Sequence, residues 1–323
     1  MRCDGPGKCE SQLARTPAGS YNSRMASRIV HVRVPATSAN LGPGFDALGM
    51  AIDLWLEAEV GIAPADGFEG KQEATELTAP GANLIHEAAA AVYAEVGLPR
   101  PPLLVKCSSE IPLARGLGSS AAAICAGILA ADVLTGAALS PQRQLALAAR
   151  IEGHPDNVAP ALMGGITVAV GSRGQACALA LPSDLHVGLG LVLAIPRFRL
   201  ATVEARAVLP EQVRLQDAVY NVGRSALLVA ALSSGRLDLL AEALGDRLHQ
   251  PYREPLVPGM AQVVAAARCA GAHAVTLSGA GPALLAWCPR TAVEPVRLAM
   301  QGAWGDRASA RSVELSRTGA RAW

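Results

Sequence analysis

The chain has 323 residues, 51% of them hydrophobic and 17% charged, with a formal net charge of +1. Such a composition can fill a sizeable core in one large or two ordinary domains and excludes global disorder. It argues against nucleic acid or an anionic membrane as a main partner. The longest apolar run, Val187 to Ile195, is also too short to span a bilayer.

The cysteines, Cys3, Cys9, Cys107, Cys125, Cys177, Cys269 and Cys288, are scattered, with no C-x-x-C pair. Neither a zinc site nor a disulfide framework is indicated, and the odd number fits a reducing cytoplasm. Residues 1–27 are polar and aperiodic, which predicts a disordered N-terminal extension without an apolar secretory core. Met25 stands just before the first strand-like segment, so a translation start there is an expectation.

Ile29 to Val34 alternates as a half-buried strand. It leads into Pro35-Ala36-Thr37-Ser38-Ala39-Asn40-Leu41-Gly42-Pro43-Gly44-Phe45-Asp46, which predicts a turn that exposes Ser38, Asn40 and Asp46. Taken alone, it reads equally as an Asx-rich loop capping its own backbone. Leu48 to Val60 predicts strand, 64–81 a polar loop or hairpin, Leu84 to Val96 a helix opened by Asn83, and Leu103 to Cys107 a strand.

Pro112 to Gly136 is the densest signal. Gly116, Gly118, Ser119 and Ser120 form a small-residue loop that leaves the backbone free for positive φ and close approach to a ligand. Ala121 to Leu134 is a helix without proline, with Ser119 or Ser120 as its N-cap and Gly136 as its stop. A glycine loop feeding a helix N-terminus suits phosphate. A Walker loop is excluded, because the lysines are Lys8, Lys71 and Lys106 and none lies here. A dinucleotide fingerprint would need a third small residue where Ala121 stands, after an unusual serine pair. A tight turn before a core helix stays open.

Gln142 to Glu152 predicts a helix ending in Gly153-His154-Pro155-Asp156-Asn157-Val158, which by itself is consistent with a C-cap and turn. Gly165 to Gly171 and Leu185 to Pro196 predict buried strands, and the first half is expected to end near residue 170. Gln216 to Ser233 and Leu237 to Leu248 predict helices, the second stopped by Pro251. Arg206 reads as a solvated helix charge, and Arg247 and His249 as helix-end cations. Met260 to Ala270 (helix), His273 to Thr276 (strand), a second glycine turn at Ser278-Gly279-Ala280-Gly281-Pro282, Leu284 to Trp287 (strand), Ala292 to Ala303 (helix) and Ser312 to Leu315 (strand) close the chain.

Four stretches carry a resemblance over residues 29 to about 320. Pro-x-x-x-Gly-Leu-Gly-Ser-Ser-Ala resembles the phosphate-binding motif of the GHMP kinases. Thr-Ser-Ala-Asn-Leu-Gly-Pro-Gly-Phe-Asp resembles the first motif of the homoserine-kinase branch of that family, and Ser-Gly-Ala-Gly-Pro resembles the third motif of the GHMP kinases. Glu-Gly-His-Pro-Asp-Asn-Val-Ala-Pro-Ala is similar to the branch's acidic loop.

The resemblance implies an α+β fold: a GHMP kinase two-domain fold with a ribosomal-protein-S5-domain-2-like N-terminal half (28–170, ATP-binding) and a ferredoxin-like C-terminal half (171–323). It implies ATP-dependent phosphorylation of L-homoserine in threonine biosynthesis by a cytoplasmic enzyme using ATP and Mg²⁺, with a homodimer as the usual family expectation. ATP contacts are implied for Asn83, Pro112, Leu113, Ala114, Arg115, Gly116, Leu117, Gly118, Ser119, Ser120, Ala121, Ala122, Ser278, Gly279 and Gly281. The implied Mg²⁺ ligands are Ser120 and Glu152, a hydroxyl and a carboxylate of the kind a hard cation takes. Asn40, Asp46, His154, Thr202, Arg206 and Arg253 are implied to bind the amino-acid substrate. Asp46 would meet its ammonium, and the two arginines would clamp its carboxylate. Catalysis is implied for Asp156 and Asn157, either with Asp156 as base or with positioning and charge neutralisation alone. Another GHMP small-molecule kinase, such as one of mevalonate type, is the nearest alternative. A non-catalytic ATP-binding homologue should lack Ser120 or Glu152, and both are present.

Overall fold

The structure is a computed structural model that describes residues 29–63, 82–172, 175–182 and 188–323. The expected N-terminal extension and the loop at 64–81 lie outside the described residues, as do 185–187 of the expected strand ending at Pro196.

The first sheet is built on a long antiparallel pair, β1 (Ile29–Ala39) and β2 (Leu48–Ile62). Their register shifts between Pro35 and Ala36. Pro35 has no N–H to give a ladder, and a bulge tolerates it. The strand therefore continues through Ala39, where the sequence predicted a turn from Pro35. Ser38 is buried rather than exposed. The turn comes later, with positive φ at Asn40, Leu41, Gly42 and Asp46. After α1 (Ala82–Glu95), β3 (Leu103–Ser109) pairs with the far half of β2.

Next come α2 (Ser119–Thr135), α3 (Pro141–Glu152) and α4 (Pro155–Met163), then β4 (Ile166–Ser172) and β5 (Gln175–Ala180). Helix α2 is apolar nearly all round and is buried nearly all round, the central helix of the first core. Gly127 lets it approach closely, since a Cβ there would overlap the Ile85 carbonyl of α1.

Helix α4 was not anticipated, because Pro160 inside it hides the pattern. Pro160 has no N–H, so the Asp156 carbonyl gets no i+4 partner. That carbonyl instead lies where a side chain at Gly49 would be, so β2 and α4 touch backbone to backbone.

The second sheet contains β6 (Leu189–Pro196). It is followed by α5 (Thr202–Ala207), α6 (Leu215–Ser233), α7 (Leu240–Ala243), α8 (Gln250–Arg253) and α9 (Met260–Cys269). Then come β7 (Ala274–Leu277), β8 (Leu284–Pro289), α10 (Val293–Trp304) and β9 (Ala308–Val313). The order β7-β8-β6-β9, all antiparallel with α9 and α10 as crossovers, is ferredoxin-like.

The helix expected over Leu237–Leu248 stops at Ala243. Asp246 ends it by accepting from the N–H groups of Leu248, His249 and Gln250 at 2.9, 3.1 and 2.6 Å. Pro251 opens α8 rather than ending a helix. The sheets do not divide at residue 170. The first sheet, ordered β10-β1-β2-β4-β5 with β3 on β2, takes β5 and the last strand, β10 (Arg321–Ala322). The expected 171–323 half therefore returns strands to the first body.

Candidate active site

A cavity of about 590 Å³ lies where the turn after β1, the loop before α2, the start of α4, helix α5 and Arg253 converge. One end is lined by backbone and the other by charged side chains.

The backbone end is the loop Ala114–Ser120. Gly118, at φ +67, is the N-cap of α2 and gives it no side-chain cap, in place of the serine cap predicted from sequence. The first intrahelical bond runs from the Ala122 N–H to the Gly118 carbonyl at 2.9 Å. The N–H groups of Ser119, Ser120 and Ala121 are left without intrahelical partners beside the positive end of the helix dipole.

Both loop glycines are required by close approach. A Cβ on Gly118 would overlap the Thr37 hydroxyl, and one on Gly116 would overlap the Ser278 carbonyl. The loop is thus pressed between β1 and the 278–281 turn. The Thr37 N–H donates to the Leu117 carbonyl at 3.1 Å, and the Ser278 hydroxyl donates to the Gly116 carbonyl at 2.7 Å.

Ser120 donates to the Glu152 carboxylate at 2.7 Å. Burial lifts the Glu152 carboxyl above its usual range, and the Ser120 bond only partly offsets this. No arginine or lysine pairs with Glu152 among the described residues. A half-buried carboxylate with a hydroxyl beside it and no arginine or lysine in contact is a donor set that fits Mg²⁺. Donor atoms of Asp46, His154 and Asp156 also lie within 4.8 Å of one another, but each carboxylate there already has a cationic or imidazole partner.

At the charged end, Arg206 grips Asp46 through two bonds of 2.6 and 3.1 Å. That bond raises the Arg206 pKa above its ordinary value. His154 Nδ1 lies 2.5 Å from Asp156 Oδ1. Burial alone would lower the His154 pKa, but the Asp156 bond and charge raise it overall. Thr37 donates to the Asn157 side-chain oxygen at 2.8 Å, leaving the Asn157 amide as a donor. Asn40 lines the cavity but is also a brace. Its Nδ2 donates to the Gly279 carbonyl at 2.8 Å, and its Oδ1 accepts from the Asp46 N–H at 3.0 Å.

Arg253 is 1% exposed, yet it lines the cavity. Nε donates to the Ala205 carbonyl at 3.0 Å, and Nη1 lies 3.1 Å from His249 Nδ1 and 3.4 Å from the Gly279 carbonyl. Burial, with Arg206 nearby, pushes its pKa down to about 10, which leaves it charged at neutral pH. Phe45 lies under both guanidinium groups, 5.5 Å from Arg206 and 5.3 Å from Arg253.

Among the sequence-predicted residues, Asn40, Asp46, Ala114, Gly116, Leu117, Gly118, Ser119, Ser120, Glu152, His154, Asp156, Asn157, Thr202, Arg206, Arg253 and Gly279 line this one cavity. The others do not. Asn83 is exposed on the first turn of α1. Ala121 and Ala122 are buried, and the Ala122 N–H is already bonded within the helix. Pro112, Leu113 and Gly281 are also off the lining, and Ser278 is buried against Gly116 and Ser38. Arg115 turns away from the cavity, with Nε donating to the Pro196 carbonyl at 2.7 Å and Nη1 to the Leu113 carbonyl at 3.0 Å. Sequence reasoning missed Gly153, Leu200, Val203 and Ala280, which line the cavity. It also read His249 as a helix-end cation, whereas His249 is wholly buried and held neutral.

Comparison with known proteins agrees with this architecture. The family profile described as GHMP kinases N terminal domain matches residues 83–165, and GHMP kinases C terminal matches 228–306. A homoserine kinase of Moorella thermoacetica is 49% identical over 259 residues, covering 80% of this chain and 86% of the relative. A homoserine kinase of Thermus thermophilus is 49% identical over 257 residues, covering 78% and 85%. The crystal structure of homoserine kinase from Cytophaga hutchinsonii superposes with a TM-score of 0.80 at 27% identity, covering 91% of this chain and 97% of that one. The chain belongs to the GHMP kinase family, in the branch formed by the homoserine kinases.

Proposed function

We propose that the chain transfers the γ-phosphoryl group of ATP to the side-chain hydroxyl of L-homoserine, yielding O-phospho-L-homoserine and ADP, as a cytoplasmic step of threonine biosynthesis. The observation that carries this reading is the pairing of opposite ends in one cavity. Uncapped N–H groups of α2 stand at one end, and two arginines with one carboxylate stand at the other.

A zwitterion suits the second end. Arg253 Nη2 has no protein partner among the described residues and is free to meet a carboxylate, alongside Arg206. Asp46 meets the ammonium. The Asp46–Arg206 bond must then be shared with the substrate, so each charge of the zwitterion finds an opposite one without a net change in the site. With both charges fixed, the hydroxyl is held toward the phosphate loop.

Transfer forms a bond from the hydroxyl oxygen to the γ-phosphorus and breaks the bond to the β-phosphate oxygen. Asp156, buried and fixed by His154, is the carboxylate that can take the hydroxyl proton, with the Asn157 amide orienting the oxygen. Ser120 and Glu152 would hold Mg²⁺, which when bound supplies charge neutralisation to the transferring phosphoryl group.

A mevalonate-type substrate has a carboxylate but no ammonium. Sequence alone left Asp46 idle for such a substrate, whereas in the structure Asp46 holds Arg206. The deciding experiment is a coupled ADP-release assay with Mg-ATP on L-homoserine, mevalonate and galactose. Turnover confined to L-homoserine is expected. Comparable turnover on an alcohol without an ammonium would discard the substrate, and no turnover on any would favour an ATP-binding protein. Sedimentation of the same preparation tests the homodimer expected from the family.

A further inference from the structure

Four residues of the second half converge on the turn after β1. Asn221 and Ser225 donate to the Pro43 carbonyl at 3.3 and 2.8 Å. His249 Nε2 lies 2.7 Å from the Gly42 carbonyl, which leaves it as the donor there. The Asp246 side chain, 0% exposed, accepts from Asn221 Nδ2 at 2.7 Å and lies 3.5 Å from His249 Nε2.

With the proton on Nε2, Nδ1 is an acceptor, and it faces Arg253 Nη1 at 3.1 Å. The ring also stacks on Phe45, centroids 5.2 Å apart at 25°. The Gly42 carbonyl thus selects the His249 tautomer, and the tautomer gives Arg253 an acceptor. The Ala205 carbonyl takes Nε and the Gly279 carbonyl lies near Nη1, so Nη2 is the part of the fork left for a ligand.

We propose that His249 is a positioning residue for substrate recognition. Through its Gly42-selected tautomer it orients the Arg253 guanidinium, so that one edge faces the substrate carboxylate. The inference rests on the functional reading above. It adds a residue that touches neither substrate nor reacting atoms, and it ties substrate affinity to the turn that carries Asn40 and Asp46. Burial above all keeps the imidazole neutral. The Asp246 charge opposes that, while Arg253 adds to it.

The test compares His249→Asn with His249→Gln. An asparagine oxygen can stand where Nδ1 does and keep the acceptor for Arg253, but it loses the donor to Gly42. A glutamine amide can stand where Nε2 does and keep that donor, but it loses the acceptor. We expect the two readouts to cross. His249→Gln melts higher, yet raises the homoserine KM by ~10-fold, the scale of one hydrogen bond to a charged group. His249→Asn melts lower, yet keeps its KM within about threefold of wild type on the same scale. The ATP KM and kcat should move little in either.

In an Arg253→Ala background, the effect of His249→Gln on KM should fall to less than about twofold, because the partner it acts through is gone. A rise in KM that tracks melting temperature, or a His249→Gln effect that persists without Arg253, would overturn the proposal. Wild-type turnover on L-homoserine separately tests the functional reading. Its absence would remove the substrate, whereas a failed cross-over with turnover intact removes only the role of His249.

Discussion

On the proposed function, the two ends of the cavity recognise anionic groups by different physical means. The phosphate end offers backbone N–H groups at an uncapped helix start, held in place by glycines that nothing larger could replace. The acceptor end offers guanidinium and carboxylate side chains drawn from the β1 turn, α4, α5 and α8. The first is rigid because its chain neighbours are in van der Waals contact. The second is rigid because each charged group is held by a carbonyl, a carboxylate or a ring. Backbone recognition should therefore fail abruptly on substitution, and side-chain recognition by degrees.

The largest effect is expected at Gly118. Valine there would be forced to φ +67 with a branched side chain against Thr37. Strain of about 3 kcal/mol or more should displace the loop, cut kcat/KM for ATP by ~100-fold or more, and lower the melting temperature. A Gly118→Val enzyme with normal ATP kinetics would show that the close approach to β1 is not needed. Next is Glu152→Gln, which keeps a polar partner for Ser120 but removes the charge. Turnover should fall by ~10²–10³-fold, typical of losing one transition-state electrostatic partner. The protein should stay folded, because a half-buried carboxylate with no arginine or lysine in contact is itself unfavourable.

This contrast also explains what could be read in the chain. Gly116 to Ser120 are contiguous, so a loop running into a helix N-terminus is visible without any partner in view. Its family resemblance carried the α+β fold and the ferredoxin-like second half. The acceptor end is assembled across about 200 residues of chain, from Asn40 to Arg253, and no local pattern joins them. Resemblance alone pointed to Arg206 and Arg253. His249 was misread because helix-end position predicts solvation, whereas tertiary packing under the Gly42 turn buries it. Arg115 was misread for the opposite reason. Being inside the phosphate motif, it was assigned to ATP, although its guanidinium bonds to the Pro196 and Leu113 carbonyls run outside the cavity.

At the acceptor end the losses should be graded. Arg253→Ala removes a buried charged donor and should raise the homoserine KM by ~10–100-fold, in line with one or two hydrogen bonds to a charged group. Arg206→Ala should do the same and also leave Asp46 without its partner. The ATP KM, measured in the same assays, should change far less in both. Equal effects on both substrates would mean that the two ends are not separable.

Arg115 provides the finest test of that separability. Its guanidinium reaches the Pro196 carbonyl at 2.7 Å and also the Arg197 carbonyl, at the exit of β6. Three residues on, the Leu200 N–H donates to the Ala114 carbonyl at 3.2 Å, and Thr202 then opens α5, which carries Arg206. One side chain of the glycine loop therefore holds the segment that carries Arg206, which the proposed function assigns to the substrate. Arg115→Met keeps much of the aliphatic stem and removes all four carbonyl contacts, to Leu113, Ala114, Pro196 and Arg197. These bonds lie at a partly exposed site and reach the substrates only through the segment they hold, so the share expected at each KM is about 1 kcal/mol, the net scale of one hydrogen bond. Both KM values should therefore rise by only about two- to fivefold, and they should rise together. A rise for ATP alone would make Arg115 an ordinary part of the phosphate loop. A joint rise would show that the backbone-built end and the side-chain-built end are fastened to each other by a residue that lines neither.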